Sequence, residues 1–142
     1  MSCFSTSIRV YIEDTDAGGI VFYANYLKFM ERARTEMLRS LGFSKPALID
    51  DTALLVVASV SVDYKRPARL DDLLTVTAEV VEIGRVYVVF KQQVFRGEEL
   101  ISDGEIKVVC VDSQSLRPIS LPENMLEKIK EYSVSQELLR NP

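Results

Sequence analysis

One long amphipathic helix sets the strongest constraint on how this chain can fold. Apolar side chains recur at helical spacing from about Asn25 to Leu41 and form one continuous stripe. Asn25 is a residue type that often caps the amino end of a helix, and Gly42 is typical of the position just after the last turn. Such a stripe requires a second layer of structure to cover it. The stripe consists of Tyr26, Met30, Ala33, Met37 and Leu41, widened by Leu27 and Leu38.

Segments with strand character surround this helix in the sequence. One precedes it at residues 4–12, where Ile8, Val10 and Ile12 alternate with more polar residues. Four more follow in direct succession, at 54–64, from 73 to a turn at Gly84, at 86–95 and at 100–111. Their short connections are typical of antiparallel hairpins. The sequence therefore predicts an α+β fold in which one antiparallel sheet packs against a long helix.

Composition excludes several kinds of function. The chain contains no histidine, which removes Ser-His-Asp and Cys-His nucleophile systems, a histidine general base and histidine-containing zinc sites. Its two cysteines, Cys3 and Cys110, form no Cys-x-x-Cys motif. The net charge of −4 argues against nucleic acid as the main partner. If the protein is an enzyme, its carboxylates are the leading acid–base groups.

Length and terminal sequence indicate the cellular setting. The chain is long enough for a sizeable core and shows no repeat or linker, so residues 1–142 are expected to form a single domain. No apolar run is long enough to cross a bilayer, and residues 1–7 lack the features of a secretory signal. We therefore expect a cytoplasmic protein, without a metal, a membrane span or a bound prosthetic group.

An acidic, glycine-containing loop connects the first strand to the helix. It contains three carboxylates, those of Glu13, Asp14 and Asp16, followed by Gly18 and Gly19. A carboxylate near the amino end of a helix lies close to free backbone N–H groups and to the positive end of the helix dipole. That arrangement suits attack on a carbonyl, because the amides can receive the oxyanion. The same residues also suit an ordinary turn, and spacing alone favours the turn.

Three stretches of the chain carry a family resemblance. The first is residues 11–21, continued at 24–26 and 31–36; the second is 62–64 with 67–72; the third is 108–112. Together they resemble the hotdog-fold acyl-CoA thioesterases, in the YbgC-like, Tol-Pal-associated branch of the 4-hydroxybenzoyl-CoA thioesterase family. The resemblance extends over about residues 8–118. It implies a hotdog fold, an antiparallel five-stranded sheet wrapped around one long central helix.

The resemblance also implies residues of an active site. The essential aspartate of the family, the second in its Asp-x-Asp motif, falls on Asp16. In the family, amides at the amino end of the central helix, here around Tyr23, polarise the thioester carbonyl. Gly19 is expected to help position this region. The YbgC-like branch usually has His where this chain has Tyr23, whereas the 4-hydroxybenzoyl-CoA branch has Tyr. Tyr23 is thus compatible with thioester hydrolysis but excludes an imidazole role at that position.

The reaction implied by the resemblance is hydrolysis of an acyl-CoA thioester to a free carboxylic acid and CoA. Asp16 would act either as the nucleophile or as a general base toward water, and the residues leave that choice open. Lys65, Arg66 and Arg69 flank a proline bend and are candidates for binding the CoA phosphates, although ordinary surface charge explains them equally well. Tyr26 is a further candidate for substrate binding. CoA is part of the substrate, so no separate cofactor is expected.

Two other functions remain open at this point. The chain could be a non-catalytic protein of the same fold that binds acyl-CoA or acyl carrier protein, or a scaffold of lipid or envelope metabolism. We also expect a homo-oligomer, since apolar residues occur on both faces of the strands at 86–95 and 100–111. The resemblance favours a dimer or a dimer of dimers, that is a homotetramer, in which a partner subunit completes the pocket around Asp16.

Overall fold

The computed structural model describes residues 3–45 and 50–140, with side chains through residue 133. In this part of the chain the elements are β1 (Phe4–Arg9), α1 (Asn25–Ser40), β2 (Ala53–Tyr64), β3 (Leu73–Ile83), β4 (Tyr87–Arg96), β5 (Glu99–Asp112) and α2 (Glu123–Arg140). The strands form one sheet in the order β1-β3-β4-β5-β2. Every pair of neighbouring strands is antiparallel. The predicted five-stranded antiparallel sheet with one long helix packed on it is confirmed.

The apolar stripe of α1 is buried against the sheet. Phe29, Met30 and Met37 have no exposed surface, and they share one core cluster with apolar residues of β3, β4 and β5. Burying a side chain of this size stabilises the fold by about 1.5–3 kcal/mol. At Gly104 on β5 an added Cβ would lie 3.2 Å from the Met30 side chain. The glycine therefore lets the helix approach the sheet closely.

A buried polar link joins α1 to the sheet. Gln92 on β4 has no exposed surface, and its Nε2 donates hydrogen bonds to Met30 O at 2.8 Å and to Thr77 O at 3.0 Å. Its Oε1 accepts a hydrogen bond from Arg34 Nη1 at 2.9 Å. Because donor and acceptor atoms of the amide are both engaged, this network is tolerated in the core and fixes the position of the helix over the sheet.

The ends of α1 confirm one prediction and contradict another. Asn25 is the first helical residue, whereas Ala24 occupies the cap position and no side chain caps the helix. Asn25 Nδ2 instead donates a hydrogen bond to Asp14 O at 2.8 Å, because the preceding loop lies against the helix end. Gly42 follows the helix as predicted, with a φ of +107°, a left-handed conformation that glycine adopts without steric strain.

The first strand is shorter than predicted. β1 ends at Arg9, and Ile12–Asp14 forms a short 3₁₀ turn. Asp14 Oδ2 accepts a hydrogen bond from Tyr11 N–H at 2.8 Å, which bends the chain away from the sheet. Ile12 is consequently 75% exposed. The prediction that alternation continues to residue 12 is wrong, because a local side-chain hydrogen bond overrides it.

Exposed apolar side chains are concentrated on β2 rather than on β4 and β5. Val89 on β4 and Val111 on β5 are both buried within the chain. The largest group of exposed apolar strand residues lies on β2, which forms one edge of the sheet and has no further strand beside it in the described chain. On this edge Val56, Val57, Val60 and Tyr64 are between 38% and 50% exposed.

The predicted final helix is present as α2 and completes the core. Met125 and Ile129 are buried, and the Tyr132 hydroxyl accepts a hydrogen bond from Phe4 N–H at 2.8 Å. This contact ties α2 to the first residue of β1. Among the residues that the structure describes, no helix combines the length and apolar character that a bilayer span requires.

Candidate active site

The loop that precedes α1 folds into a tight hairpin around Asp16. Thr15 and Val21 form an antiparallel bridge, and Asp16 N–H donates a hydrogen bond to Ile20 O at 2.9 Å. Gly19 N–H donates to Asp16 O at 3.0 Å, and Gly19 has a φ of +78°. Because other residues are strained in this left-handed region, the expected role of Gly19 in shaping the loop has a clear physical basis.

The carboxylate of Asp16 is exposed and held by one backbone amide. Its Oδ1 accepts a hydrogen bond from Gly18 N–H at 2.8 Å. A Cβ added to Gly18 would lie 3.3 Å from the same oxygen, so the absence of a side chain there lets the carboxylate sit close to the backbone. Oδ2 has no hydrogen-bond partner within the described chain. One oxygen is thus fixed, and the other is open to a reacting group.

Asp14 attaches this loop to the amino end of α1. Its side chain is buried, and its backbone oxygen accepts hydrogen bonds from Phe22 N–H at 3.0 Å and from Asn25 Nδ2 at 2.8 Å. Asp14 therefore stabilises the loop. In the described residues, no protein acceptor is bonded to the N–H groups of Tyr23 and Ala24. These amides lie at the positive end of the helix dipole, where a developing negative charge is stabilised.

A second loop packs against the first. We call residues 65–72 the cationic turn, because they contain Lys65, Arg66 and Arg69. Ile20 and Arg69 form a bridge, and Val21 N–H donates a hydrogen bond to Ala68 O at 2.9 Å. All three cationic residues are exposed, and Arg66 Nε lies 3.1 Å from Glu99 Oε2. The structure thus brings Arg69 next to the loop of Asp16, while Arg66 is engaged in an ion pair.

Aromatic side chains fill the space between the two loops. Tyr23 is 64% exposed, and its ring lies edge-on to the Tyr64 ring with centroids 6.2 Å apart. Tyr26 is only 3% exposed, its ring centroid lies 5.4 Å from that of Tyr64, and its hydroxyl accepts a hydrogen bond from Ala68 N–H at 3.0 Å. Burial raises the pKa of Tyr26 and of Tyr64, so both phenols stay protonated at neutral pH.

Sequence reasoning missed Tyr64 as part of this site. Tyr64 ends β2 and lies far along the chain from Tyr23, and only the fold brings the two rings together. The available signal was that Tyr64 directly precedes Lys65, which the sequence had already indicated as a candidate for binding the CoA phosphates. Asp16, Gly19, Tyr23 and Arg69 lie in one region of the structure.

One cavity in the described chain is separate from this site. It has a volume of about 820 Å³ and lies between β1 and the outer face of α1, where cationic and anionic side chains are mixed. Neither Asp16 nor Tyr23 lines it. Within the described chain, no group of three or more acidic or thiol side chains is arranged to hold a metal ion.

Comparison with known sequences identifies the family. The profile of the thioesterase superfamily matches residues 18–102. The acyl-CoA thioester hydrolase YbgC of Escherichia coli is 43% identical over 129 residues, which cover 90% of this chain and 96% of that protein. The acyl-CoA thioesterase YbgC of Haemophilus influenzae is 44% identical over 123 residues, covering 86% of this chain and 90% of that protein.

A solved structure supports the same assignment. The crystal structure of a hypothetical protein from Aquifex aeolicus aligns with this chain with a TM-score of 0.82 and 31% sequence identity. The alignment covers 89% of this chain and 98% of that protein. The family predicted from the sequence motifs is confirmed by these matches. This chain belongs to the thioesterase superfamily, in the group of the YbgC acyl-CoA thioesterases, and has the hotdog fold of that family.

Proposed function

We propose that this protein hydrolyses an acyl-CoA thioester to a free carboxylic acid and CoA. The observation that carries the proposal is the Asp16 carboxylate, which has one oxygen fixed by Gly18 N–H and lies in a loop bonded to the amino end of α1. Relatives at 43% and 44% identity that bear the name of acyl-CoA thioester hydrolase or thioesterase support the same activity. The proposed reaction needs no cofactor beyond the CoA part of the substrate.

Two reaction routes start from Asp16, and neither requires a histidine. In one, Asp16 attacks the thioester carbon, CoA leaves as the thiolate, and water then hydrolyses the mixed anhydride. In the other, Asp16 takes a proton from a water molecule that attacks the same carbon. The proposed oxyanion donors in either route are the amides of Tyr23 and Ala24, whose N–H groups have no protein acceptor in the described residues. Because a thiolate is a good leaving group, a general acid is not required.

The cationic turn is the proposed binding site of the CoA phosphates. Lys65 and Arg69 are the better candidates, since Arg66 is already paired with Glu99. Phosphate oxygens accept charge-assisted hydrogen bonds from such side chains. Tyr23 and Tyr64 form the proposed wall of the acyl pocket, and Tyr26 supports this wall from its buried side.

Replacing Tyr23 by Phe is expected to have a small effect. The variant keeps the ring that packs edge-on against Tyr64 and removes only the exposed hydroxyl. We expect kcat to fall by less than about fivefold, equivalent to roughly 1 kcal/mol. Steady-state hydrolysis of one acyl-CoA by both proteins measures this. A loss as large as that of an Asp16 variant would instead assign the phenol a chemical role.

A homodimer built on the β2 edge is the proposed assembly, and a dimer of such dimers is the alternative. Val57 and Val60 expose apolar surface beside an unpaired strand edge. Arg34 lies in the adjacent groove, where burial lowers the pKa of its guanidinium. Glu31 lines the same groove and interacts with Arg34 electrostatically, but in the described chain no carboxylate lies within ion-pair distance of its guanidinium. A second copy would cover both features.

Acyl-CoA hydrolysis followed by detection of the free thiol tests the proposal. The purified protein is incubated with short, long and aromatic acyl-CoAs, and with an acylated carrier protein, all in large excess over protein. We expect continuous thiol release from at least one of them. A protein that binds these molecules without releasing thiol is the non-catalytic binder, and one that binds none of them is a scaffold. The cytoplasm is the proposed compartment, because acyl-CoA is found there.

A further inference from the structure

Arg96 connects the end of β4 to two points of the cationic turn and to the start of β5. Its Nη1 lies 2.7 Å from Asp72 Oδ2 and 3.2 Å from Pro67 O. Its Nη2 lies 2.7 Å from Glu99 Oε1, and Glu99 Oε2 in turn lies 3.1 Å from Arg66 Nε. This planar, multiple hydrogen bonding is a geometry that arginine provides and that lysine cannot reproduce. Arg96 therefore holds both ends of the cationic turn.

The turn that Arg96 holds contains a strained residue. Asp71 has a φ of +71°, in the left-handed region that is unfavourable for residues other than glycine. Asp72 Oδ2, which Arg96 contacts, also accepts a hydrogen bond from Arg69 N–H at 2.9 Å. On the other side, Arg9 Nη1 donates to Asp71 O at 2.7 Å. Strained backbone persists where surrounding contacts determine it, and such positions often serve function.

The pKa shifts of Asp72 and Glu99 agree with a stable contact between these carboxylates and Arg96. Burial by itself raises the pKa of Asp72, but the hydrogen bonds from Arg69 N–H and from the Arg96 guanidinium outweigh it and lower that pKa. The hydrogen bond from Arg96 lowers the pKa of Glu99. Both carboxylates are therefore ionised near neutral pH, and Arg96 remains between two negative charges.

We propose that Arg96 is a positioning residue for the CoA end of the substrate, holding the cationic turn so that Lys65 and Arg69 face the phosphates. This inference rests on the proposed thioesterase function. Besides its contact with Glu99 on β5, Arg96 bonds to the turn itself, at Pro67 O and at the carboxylate that holds the Arg69 amide. The hairpin of Asp16 contacts this turn through the Ile20–Arg69 bridge, but its carboxylate is held by Gly18 N–H and its loop by the Asn25 side chain, neither of which Arg96 contacts. Loss of Arg96 therefore affects binding of CoA more than the chemical step.

The test compares two thioesters of the same acyl group. One is the acyl-CoA, and the other is the acyl-N-acetylcysteamine thioester, which lacks the nucleotide and all phosphates. For Arg96→Gln we expect KM for the acyl-CoA to rise about tenfold, as for the loss of a charge-assisted contact, with kcat little changed. For the truncated thioester both constants should match the wild type. Arg96→Lys should restore KM only in part.

A matched control is Arg39→Gln, which removes an arginine from the ion pair with Glu36 on the exposed face of α1. This variant should leave KM for both thioesters unchanged. If Arg96→Gln does not fold, as judged by thermal unfolding, Asp72→Asn replaces it. That variant keeps an oxygen for Arg69 N–H and removes the charge that pairs with Arg96.

Three results would overturn the inference, and they are distinguishable. An unchanged KM for acyl-CoA in a folded Arg96→Gln variant refutes the role of Arg96 while leaving the thioesterase proposal intact. An equal rise in KM for both thioesters indicates general damage to the site and refutes it as well. A wild-type protein that hydrolyses neither thioester refutes the proposed function and, with it, this inference.

Discussion

Asp16→Asn is expected to lower kcat for acyl-CoA hydrolysis by on the order of 10³-fold or more. The substitution replaces the carboxylate by a neutral amide of nearly the same shape, which can neither attack the thioester nor accept a proton from water. The amide oxygen can still accept the hydrogen bond from Gly18 N–H. Since the side chain is exposed, the fold and the thermal unfolding temperature should be unchanged. Steady-state kinetics with thiol detection measures the loss.

Glu13→Gln is the matched control for this experiment. Glu13 lies in the same acidic segment and is exposed, but it belongs to the short turn that lines the cavity beside β1. Its loss of charge should change kcat by no more than about twofold, within the range of surface substitutions. Near-normal turnover by a folded Asp16→Asn protein would remove Asp16 from the chemistry, and an equal loss in Glu13→Gln would indicate a general effect of charge.

Placing a lysine on the β2 edge is expected to abolish both assembly and most activity. Val60 is 43% exposed on this strand, and Tyr64 at the end of the same strand contacts Tyr23 of the site. A charge at residue 60 cannot be buried in an interface without a large free-energy penalty, so Val60→Lys should yield folded monomers. Because the partner is proposed to complete the pocket, we expect kcat/KM to fall by on the order of 10²-fold.

Light scattering at micromolar concentration measures the assembly, and the kinetic assay is run on the same samples. Ser7→Lys is the control, since Ser7 is exposed on β1, at the opposite edge of the sheet. That variant should remain dimeric and active. A wild-type protein that is monomeric and fully active at this concentration would contradict both the dimer and the shared site.

Local patterns in the sequence predicted the elements but not their precise ends. The apolar stripe of α1 and the run of four strands follow from side-chain periodicity. Residues at these periodic positions are buried in the core of the structure. The cap of α1 and the end of β1 were predicted wrongly. Both depend on Asp14. Its carboxylate accepts a hydrogen bond from Tyr11 N–H and bends the chain there, and its backbone oxygen accepts a hydrogen bond from the Asn25 side chain. Such a contact depends on the path of the loop, which periodicity does not encode.

The candidate site was predictable where its residues adjoin in sequence. Asp16 and Gly19 lie in one short loop, and the family motif identified them together. Tyr64 and Arg96 were missed because the residues they contact are distant in the chain: Tyr64 lies against Tyr23, and Arg96 contacts the cationic turn. The sheet order, in which β4 lies between β3 and β5, brings Arg96 close to Asp72 and Glu99.

The fate of an acyl-CoA bound to Asp16→Asn tests the central claim most directly. The variant and the wild type are each mixed with the same acyl-CoA, the protein fraction is isolated, and the bound molecules are identified by mass spectrometry. We predict that Asp16→Asn retains intact acyl-CoA, while the wild type yields only CoA and free acid. Hydrolysis of the bound thioester by Asp16→Asn at the wild-type rate would contradict the assignment of Asp16 as the reacting carboxylate.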